Sequence, residues 1–164
     1  MNRNLIPGLV DDNVEMFVQN DDLKVIHQGK VISFDELPVS IKELIKEEMY
    51  VEKNVLRALN IMHPNSIDKM VEQFAKCRLG GLDFQADIKN GQIQDGEYWP
   101  CPKHGSCEHE GVLCKLPKFN KTRLTKQDIQ LMQLSTTEKT NEVIAEEMNL
   151  PLGSFHKAKK YIHE

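Results

Sequence analysis

Hydrophobic and polar residues follow different patterns along the chain, and each change of pattern marks a new structural element. The first twenty residues carry scattered apolar side chains without a regular period, which predicts a loosely structured arm with room for one short helix. Runs that contain Val25-Ile26 and Val31-Ile32 then flank the dipeptide Gln28-Gly29. Two β-branched runs around a glycine-containing turn predict a short N-terminal β-hairpin.

A helical period from residue 40 to residue 80 predicts three helices. The first begins at Ser40, because Ser40 and Glu43 have the spacing of a capping box. The second ends shortly before Pro64, and the third is capped by Asn65 or Ser66 and ends at the next pair of glycines. The apolar positions that form their buried faces are Ile41, Leu44, Ile45, Met49, Val51, Val55, Leu56, Leu59, Ile67, Met70, Val71 and Phe74.

The helical period returns at Leu124 and predicts three more helices. Thr125 and Asp128 have the spacing of a cap for the first of them. The second covers about residues 140–148, and the third covers about residues 152–162, after the short connection Asn149-Leu150-Pro151. The apolar positions expected in their common core are Ile129, Leu131, Met132, Val143, Ile144, Met148, Phe155 and Ile162.

The last of these helices carries short polar and basic side chains of the kind that a DNA-reading helix needs. The major groove of duplex DNA admits one helix, whose exposed side chains read base edges while neighbouring lysines pair with phosphates. Two short helices joined by a few residues therefore predict a helix-turn-helix that binds double-stranded DNA. Its candidate contacts on the third helix are Ser154, His156, Lys157, Lys159 and Lys160.

The same region resembles a known family. The sequence LTKQDI at residues 124–129, followed by TNEVIAEEMNL at residues 140–150, is similar to the LuxR-type helix-turn-helix, whose pattern is L-T-x-x-E and then S-N-x-E-I-A-x-x-L-x-I. It is also similar to the last region of sigma factors. The resemblance covers residues 121–164 and implies that Ser154 and His156 face DNA while Phe155 faces the core. It further implies DNA contacts from Thr140 and Asn141.

The chain departs from the family pattern at three positions. Glu138 stands where glycine is common, Pro151 where a capping serine or threonine is usual, and Ala158 where a histidine is common. The base preference therefore stays open. An alternative interpretation of the same residues is a three-helix protein-interaction tail whose lysines are simply solvated.

Three cysteines and two histidines lie within fourteen residues of the irregular segment Leu82–Phe119, and a fourth cysteine precedes them. Thiolate and imidazole are ligands that zinc prefers, and four such ligands close a structural site. A bound metal would also order a segment of this length. Two alternatives stay open: an iron–sulfur cluster in a redox-sensing regulator, or reduced thiols that pack as small hydrophobic groups. The expected ligands are Cys77, Cys101, Cys107 and Cys114, with His104 as the substitute.

The charge distribution fits an acidic body followed by a basic tail. Residues 115–164 contain nine Lys or Arg and six Asp or Glu, whereas residues 1–114 contain twelve and nineteen. We expect the acidic body to contact RNA polymerase or another protein. The sequence has no run of about 20 apolar residues and no export signal, so we expect a cytoplasmic protein without a membrane partner.

None of the common patterns for nucleotide binding, zinc-dependent hydrolysis or serine hydrolysis occurs in the sequence, so we expect that the protein is not an enzyme. The fold predicted is mainly α. It comprises a small hairpin and helical body over residues 1–80, a Cys/His-rich metal-binding segment over residues 81–119, and a helix-turn-helix over residues 120–164. The predicted function is sequence-specific regulation of transcription. The alternative is an accessory factor of DNA transactions, such as recombination or a phage-type process.

Overall fold

The computed structural model describes residues 5–96 and 98–163, with side chains as far as residue 160. The chain divides into two compact units, an N-terminal unit, Met1–Lys115, and a C-terminal unit, Leu116–Glu164. The described residues form six α-helices and three small antiparallel sheets, which is consistent with the expected mainly helical class. Within these residues, no helix has both the length and the apolar character that crossing a membrane requires.

The N-terminal unit combines a small sheet, three helices and a second hairpin around one core. Its elements are β1 (Glu15–Gln19), β2 (Asp22–His27), β3 (Lys30–Ser33), α1 (Val39–Met49), α2 (Lys53–Met62), α3 (Ile67–Leu79), β4 (Ile88–Lys89) and β5 (Gln92–Ile93). A 3-10 turn, Phe34–Glu36, leads from β3 to α1. Strands, helices and the cysteine-rich segment all contribute to the core, with buried side chains that include Met16, Val25, Ile45, Met49, Leu59, Phe74, Ile88 and Leu113.

The N-terminal sheet has three antiparallel strands in the order β1-β2-β3. The predicted hairpin is confirmed, since β2 and β3 flank Gln28-Gly29, whose φ values are 51° and 75°. The expectation of a loosely structured arm over the first twenty residues was wrong for residues 15–19, because β1 pairs with β2 through a second tight turn, Asn20-Asp21, with φ values of 51° and 67°. Residues 5–14 contain turns and bends, and residues 1–4 lie outside the described part of the chain. Turns in this conformation match the twist of paired strands. Glu15 and Met16 are both buried, so β1 lacks the polar–apolar alternation that predicts a strand.

The three helices of the N-terminal unit lie where the periodicity predicts them, with corrections near their starts. Helix α1 is preceded by Pro38 and contains Ser40 in its first turn, so Ser40 does not form the expected capping box. Val51 and Ile67 are 71% and 41% exposed, because they lie before or at the first residue of a helix and outside the core contact. Ser66 caps α3 as expected, and α3 ends at the glycine pair.

A second hairpin, β4-β5, fastens the segment after α3 to the edge of the sheet. Backbone hydrogen bonds of 3.0 and 3.1 Å join Val14 and Ile88 in both directions. The turn of this hairpin is Asn90-Gly91, with φ values of 53° and 70°. Asn-Gly is a strong hairpin signal, but strands of two residues are too short to show a period in the sequence.

The C-terminal unit consists of a short hairpin followed by three helices. Its elements are β6 (Lys118–Phe119), β7 (Thr122–Arg123), α4 (Lys126–Ser135), α5 (Asn141–Glu147) and α6 (Leu152–His163). The predicted cap of α4 is confirmed. The N–H of Asp128 donates to Thr125 Oγ1 at 3.1 Å, and the N–H of Thr125 donates to Asp128 Oδ2 at 2.9 Å. This reciprocal pair fixes the residue at which α4 begins.

The C-terminal unit has a small core of its own, and three positions differ from the prediction. Ile129 is only half-buried and is not part of this core. Met132 and Val143 are 40% and 41% exposed, so neither belongs to the buried face. Short helices that cross contact each other along a narrow face, and the helical period locates that face only to within about one position. Ile162 lies outside the described side chains. The buried residues of the core between the helices are Leu131, Ile144, Ala145, Met148 and Phe155.

Glu15 places a carboxyl group in the interior of the N-terminal unit. Its Oε1 accepts a hydrogen bond of 3.1 Å from the backbone N–H of Asp83, and its buried Oε2 has no hydrogen-bond partner. Burial raises the pKa of Glu15 to about 9, and the charge of nearby Asp87 adds to the increase. Glu15 is therefore a neutral carboxylic acid at neutral pH.

Replacing Glu15 with Gln is expected to increase stability at alkaline pH. The pKa of Glu15 rises from 4.5 to about 9 on folding, so between these values the unfolded chain releases a proton that the folded chain retains. The wild type therefore loses stability relative to Glu15→Gln as the pH rises, by on the order of 1 kcal/mol per pH unit. Urea unfolding at several pH values measures this difference.

The amide of Gln can still accept the hydrogen bond from Asp83, so the comparison isolates the ionisable proton. The two proteins should have similar free energies of unfolding at about pH 5 and should diverge toward about pH 9. A constant difference across this range would show that Glu15 ionises normally in the folded state.

Candidate metal centre and candidate nucleic-acid interface

All four cysteines line one cavity in the N-terminal unit. Cys77 lies in the last turns of α3, and the other three belong to the turn-rich segment 99–114. Each is a free, half-buried thiol, and the cavity that they share has a volume of about 330 Å³. The structure thus brings together the four expected metal ligands from two separate parts of the chain. The other side chains that line the cavity include Gln73, Trp99, His104, His109, Glu110 and Leu113.

Trp99 anchors the beginning of this segment to the end of α3. Its indole N–H donates to the backbone carbonyl of Cys77 at 3.0 Å. The ring lies directly against Gly80 and Gly81, where a Cβ atom would clash with it; at Gly80 the separation from Trp99 Cζ2 would be 2.7 Å. The glycine pair therefore ends α3 and also admits the tryptophan. The glycine pair in the sequence predicts only the first of these roles.

Arg78 anchors the end of the same segment. Its side chain is buried, Nε donates to the carbonyl oxygen of Leu113 at 2.8 Å, and Nη2 donates to that of Val112 at 3.1 Å. The guanidinium carbon lies 5.1 Å from the centre of the Phe74 ring, and Glu52 lies 3.6 Å from Nη2 on the exposed side. In the sequence, Arg78 is one charged residue of an amphipathic helix, and such a residue is expected to face solvent. The sequence therefore gives no indication that Arg78 binds these carbonyl groups.

His104 is held inside the segment by both of its ring nitrogens. Nδ1 lies 2.9 Å from Glu110 Oε1, and Nε2 lies 2.7 Å from the carbonyl oxygen of Trp99. The second carboxylate oxygen of Glu110 accepts a hydrogen bond of 3.0 Å from the N–H of Gly105. Both partners of His104 are hydrogen-bond acceptors, so this arrangement directs no nitrogen lone pair toward the cysteines.

The thiols interact with one another and with nearby donors. Burial raises the pKa of Cys77, the amide of Gln73 opposes this by donating to Sγ at 3.2 Å, and the other three cysteines raise the pKa further. Burial also raises the pKa of Cys114, and the N–H of Gly111, 3.4 Å from its Sγ, lowers it. The raised pKa values favour the protonated thiols of Cys77 and Cys114, so a metal that binds these two sulfurs would release protons.

The donor set fits a thiophilic metal, but the side chains would have to move to bind it. In the described part of the chain, no group of three or more His, Cys, Asp or Glu side chains is already arranged to hold a metal ion. The four cysteines share a cavity and influence one another electrostatically, so they lie near one another. They do not lie at the distances that metal ligands require. Coordination would therefore draw the thiols together, since zinc requires about 2.3 Å to each sulfur.

A larger, open cavity of about 930 Å³ lies in the same unit and is lined by five aspartates among other residues. Asp11, Asp83 and Asp87 accept hydrogen bonds from neighbouring backbone N–H groups, and Asp21 pairs with Lys76 at 2.8 Å. Four of the five carboxylates therefore have a structural role in hydrogen bonds or an ion pair, and we assign no ligand to this cavity.

In the C-terminal unit, α5 and α6 are joined by the four residues Met148–Pro151. Asn149 has a φ of 54°, and the N–H of Leu150 donates to the carbonyl oxygen of Ala145 at 2.9 Å, which closes the end of α5. The N–H of Phe155 donates to the carbonyl oxygen of Pro151 at 2.9 Å and begins the hydrogen bonding of α6. Asparagine tolerates this left-handed conformation, so the tight turn forms without glycine.

The seven expected DNA contacts fall into two groups. Ser154, His156, Lys157 and Lys160 are exposed on α6. For the other three, Thr140, Asn141 and Lys159, hydrogen bonds within the unit define the position of the side chain. Thr140 caps α5 through the N–H of Val143, and Lys159 Nζ donates to Asn141 Oδ1 at 2.8 Å. The same ammonium group lies 5.9 Å from the centre of the Phe155 ring.

Comparison with protein-family models, with curated proteins and with solved structures finds no match to this chain.

Replacing Arg78 with Met is expected to destabilise the N-terminal unit by about 3 kcal/mol. The methionine fills part of the space, but the buried carbonyls of Val112 and Leu113 lose their donors. Urea unfolding measures the loss, and protease digestion should show faster cleavage within residues 99–114.

The matched control is Arg57→Met, because Arg57 is an exposed residue of α2. This variant should remain within about 0.5 kcal/mol of the wild type. Equal effects of the two substitutions would show that Arg78 does not hold the cysteine-rich segment.

Proposed function

We propose that the protein is a sequence-specific DNA-binding regulator of transcription, and that its C-terminal unit binds double-stranded DNA. The observation that carries this proposal is the composition of the exposed part of α6. Ser154, His156, Lys157 and Lys160 are exposed there, while Phe155 is fully buried in the core. A helix that is fixed from one side and carries short polar and basic groups on the other suits the major groove.

The dimensions of α6 support docking in the groove. An α-helix with its side chains is about 10–12 Å in diameter, which fits a major groove about 12 Å wide. The twelve residues of α6 give a helix about 18 Å long. Ser154 and His156 lie near the beginning of α6, which is the part of a recognition helix that contacts base edges. Lys157 and Lys160 lie further along, where lysines can pair with phosphates of the adjacent backbone.

The distribution of charge favours α6 over α5 as the docking helix. The sequence of α6 contains no Asp or Glu. Helix α5 carries Glu142, Glu146 and Glu147, all exposed, and Glu147 pairs with Lys139 at 2.6 Å. The phosphates of DNA would therefore be attracted to α6 and repelled by α5.

Asn141 and Lys159 have a different role in this proposal from the one expected from the sequence. Their hydrogen bond joins the first residue of α5 to the middle of α6. Lys159 is only half-exposed, in contrast to Lys157 and Lys160. We therefore assign Asn141 and Lys159 to holding the two helices at a fixed angle, and Lys157 and Lys160 to contacting DNA.

Replacing both Lys157 and Lys160 with Ala should weaken binding to all duplex sequences and reduce its dependence on salt. Each phosphate contact contributes about 0.9 to the slope of log K against log salt concentration, so the slope should fall by about two. Fluorescence anisotropy with a pool of labelled random duplexes, across a salt series, measures both quantities on the full chain.

The control variant replaces Lys53 and Lys69 with Ala. These lysines are exposed on α2 and α3. Replacing them changes the net charge by the same amount as replacing Lys157 and Lys160. This variant should bind as the wild type does. A wild-type protein that does not bind duplex DNA even at low salt would overturn the proposal and favour a protein-interaction unit.

Replacing Ser154 or His156 with Ala tests whether binding depends on base sequence. Both side chains are exposed, so neither substitution should alter the fold. We expect selection from a random duplex library to return a different preferred base at one or two positions, with a loss of about 1–3 kcal/mol on the wild-type site. Unchanged preferences in both variants would argue against base reading by the start of α6.

A further inference from the structure

We infer that Cys77, Cys101, Cys107 and Cys114 bind one zinc ion as a closed tetrathiolate site, and that His104 is a positioning residue rather than a ligand. This inference concerns the N-terminal unit and does not depend on the proposed DNA binding. It rests on the shared cavity, on the hydrogen bonds to sulfur and on the contacts of His104.

The backbone and the packing hold the four thiols near a common space. The carbonyl of Cys77, on α3, accepts a hydrogen bond from Trp99, the first residue of the segment that contains the other three cysteines. Arg78, the next residue of α3, binds the carbonyls just before Cys114. Both ends of the segment are therefore fixed to the helix that carries Cys77. Movement of the side chains within the cavity, rather than folding of the whole loop, would bring the sulfurs to ligand distance.

The surroundings of the sulfurs suit bound thiolates. Gln73 Nε2 lies 3.2 Å from Cys77 Sγ, and the N–H of Gly111 lies 3.4 Å from Cys114 Sγ. Donors of this kind stabilise negative charge on a ligating sulfur and orient it. Four protein ligands leave no open position for water or substrate, so the site that they form is structural rather than catalytic.

His104 is excluded from the ligand set by its existing partners. To bind zinc, it would have to give up either Glu110 or the carbonyl oxygen of Trp99. Its contacts instead tie together residues on either side of Cys101 and Cys107, because they link Trp99, His104 and Glu110. His104 thus sets the path of the chain between two ligands without touching the metal.

The first experiment measures metal content and cobalt binding on the full chain. The protein is purified under reducing conditions, analysed for metals, stripped with a chelator and titrated with Co(II) alone. One equivalent should produce the visible bands of tetrahedral cobalt and a near-ultraviolet thiolate-to-cobalt band, and Zn(II) should abolish both. Absence of both bands and of zinc would overturn the inference, and iron with acid-labile sulfide would overturn the identity of the metal.

The second experiment assigns the ligands. Replacing any one cysteine with Ser should lower the intensity of the thiolate-to-cobalt band by about a quarter, since one of four sulfurs is lost. His104→Gln should keep the full intensity and the band positions of four sulfur ligands, even if its affinity for cobalt falls. An unchanged band in a serine variant would remove that cysteine from the set, and a spectrum altered in His104→Gln would make His104 a ligand.

A cysteine variant that fails to fold would give no spectrum, so the wild type provides a test that does not depend on such variants, and a second histidine provides a control for His104. His109 also lines the cavity, and His109→Gln should leave both the spectrum and the zinc content unchanged. In the wild type, adding Zn(II) to the stripped protein should raise the melting temperature and slow proteolysis within residues 99–114. No change in either property would contradict a structural site in this cavity.

Discussion

Arg78 carries a guanidinium group into the interior of the N-terminal unit, and the position of the cysteine-rich segment depends on how that group is satisfied. Its donors reach the carbonyl oxygens of Leu113 and Val112, and its flat face packs against Phe74. A buried charge without partners is costly, so the segment must stay where its carbonyls can accept. Trp99 adds a second fixed point by donating to the carbonyl of Cys77. The segment is therefore tied to α3 at its beginning and at its end.

This attachment determines what chemistry the segment can support. It faces three cysteines toward the cavity that also contains Cys77, and it uses His104 and Glu110 to fix the turns between them. Polar contacts already order this segment, so a metal that binds there would need little free energy to order the loop. The buried carboxyl group of Glu15 is a second polar group enclosed in the same unit, and it is accommodated by staying protonated.

In the C-terminal unit, some side chains of α6 pack against the rest of the unit and others are exposed to solvent. Phe155 and Lys159 hold α6 against the rest of the unit, the first by burial and the second through Asn141. Lys157 and Lys160 are left exposed by the same packing. Because a helix turns by 100° per residue, lysines one or two positions apart can face either a neighbouring helix or solvent. The proposal of DNA binding depends on this division.

The sequence by itself determined the features that depend on neighbouring residues. These are the turn at Gln28-Gly29, the cap formed by Thr125 and Asp128, and the six helices with their approximate bounds. Tertiary structure alone decided that Arg78 holds the cysteine-rich segment, that the carboxyl group of Glu15 is buried, and that Lys159 contacts Asn141. The reason is distance along the chain. Arg78 meets its carbonyl 35 residues away and Glu15 meets its donor 68 residues away, and no local pattern of side chains encodes such partners.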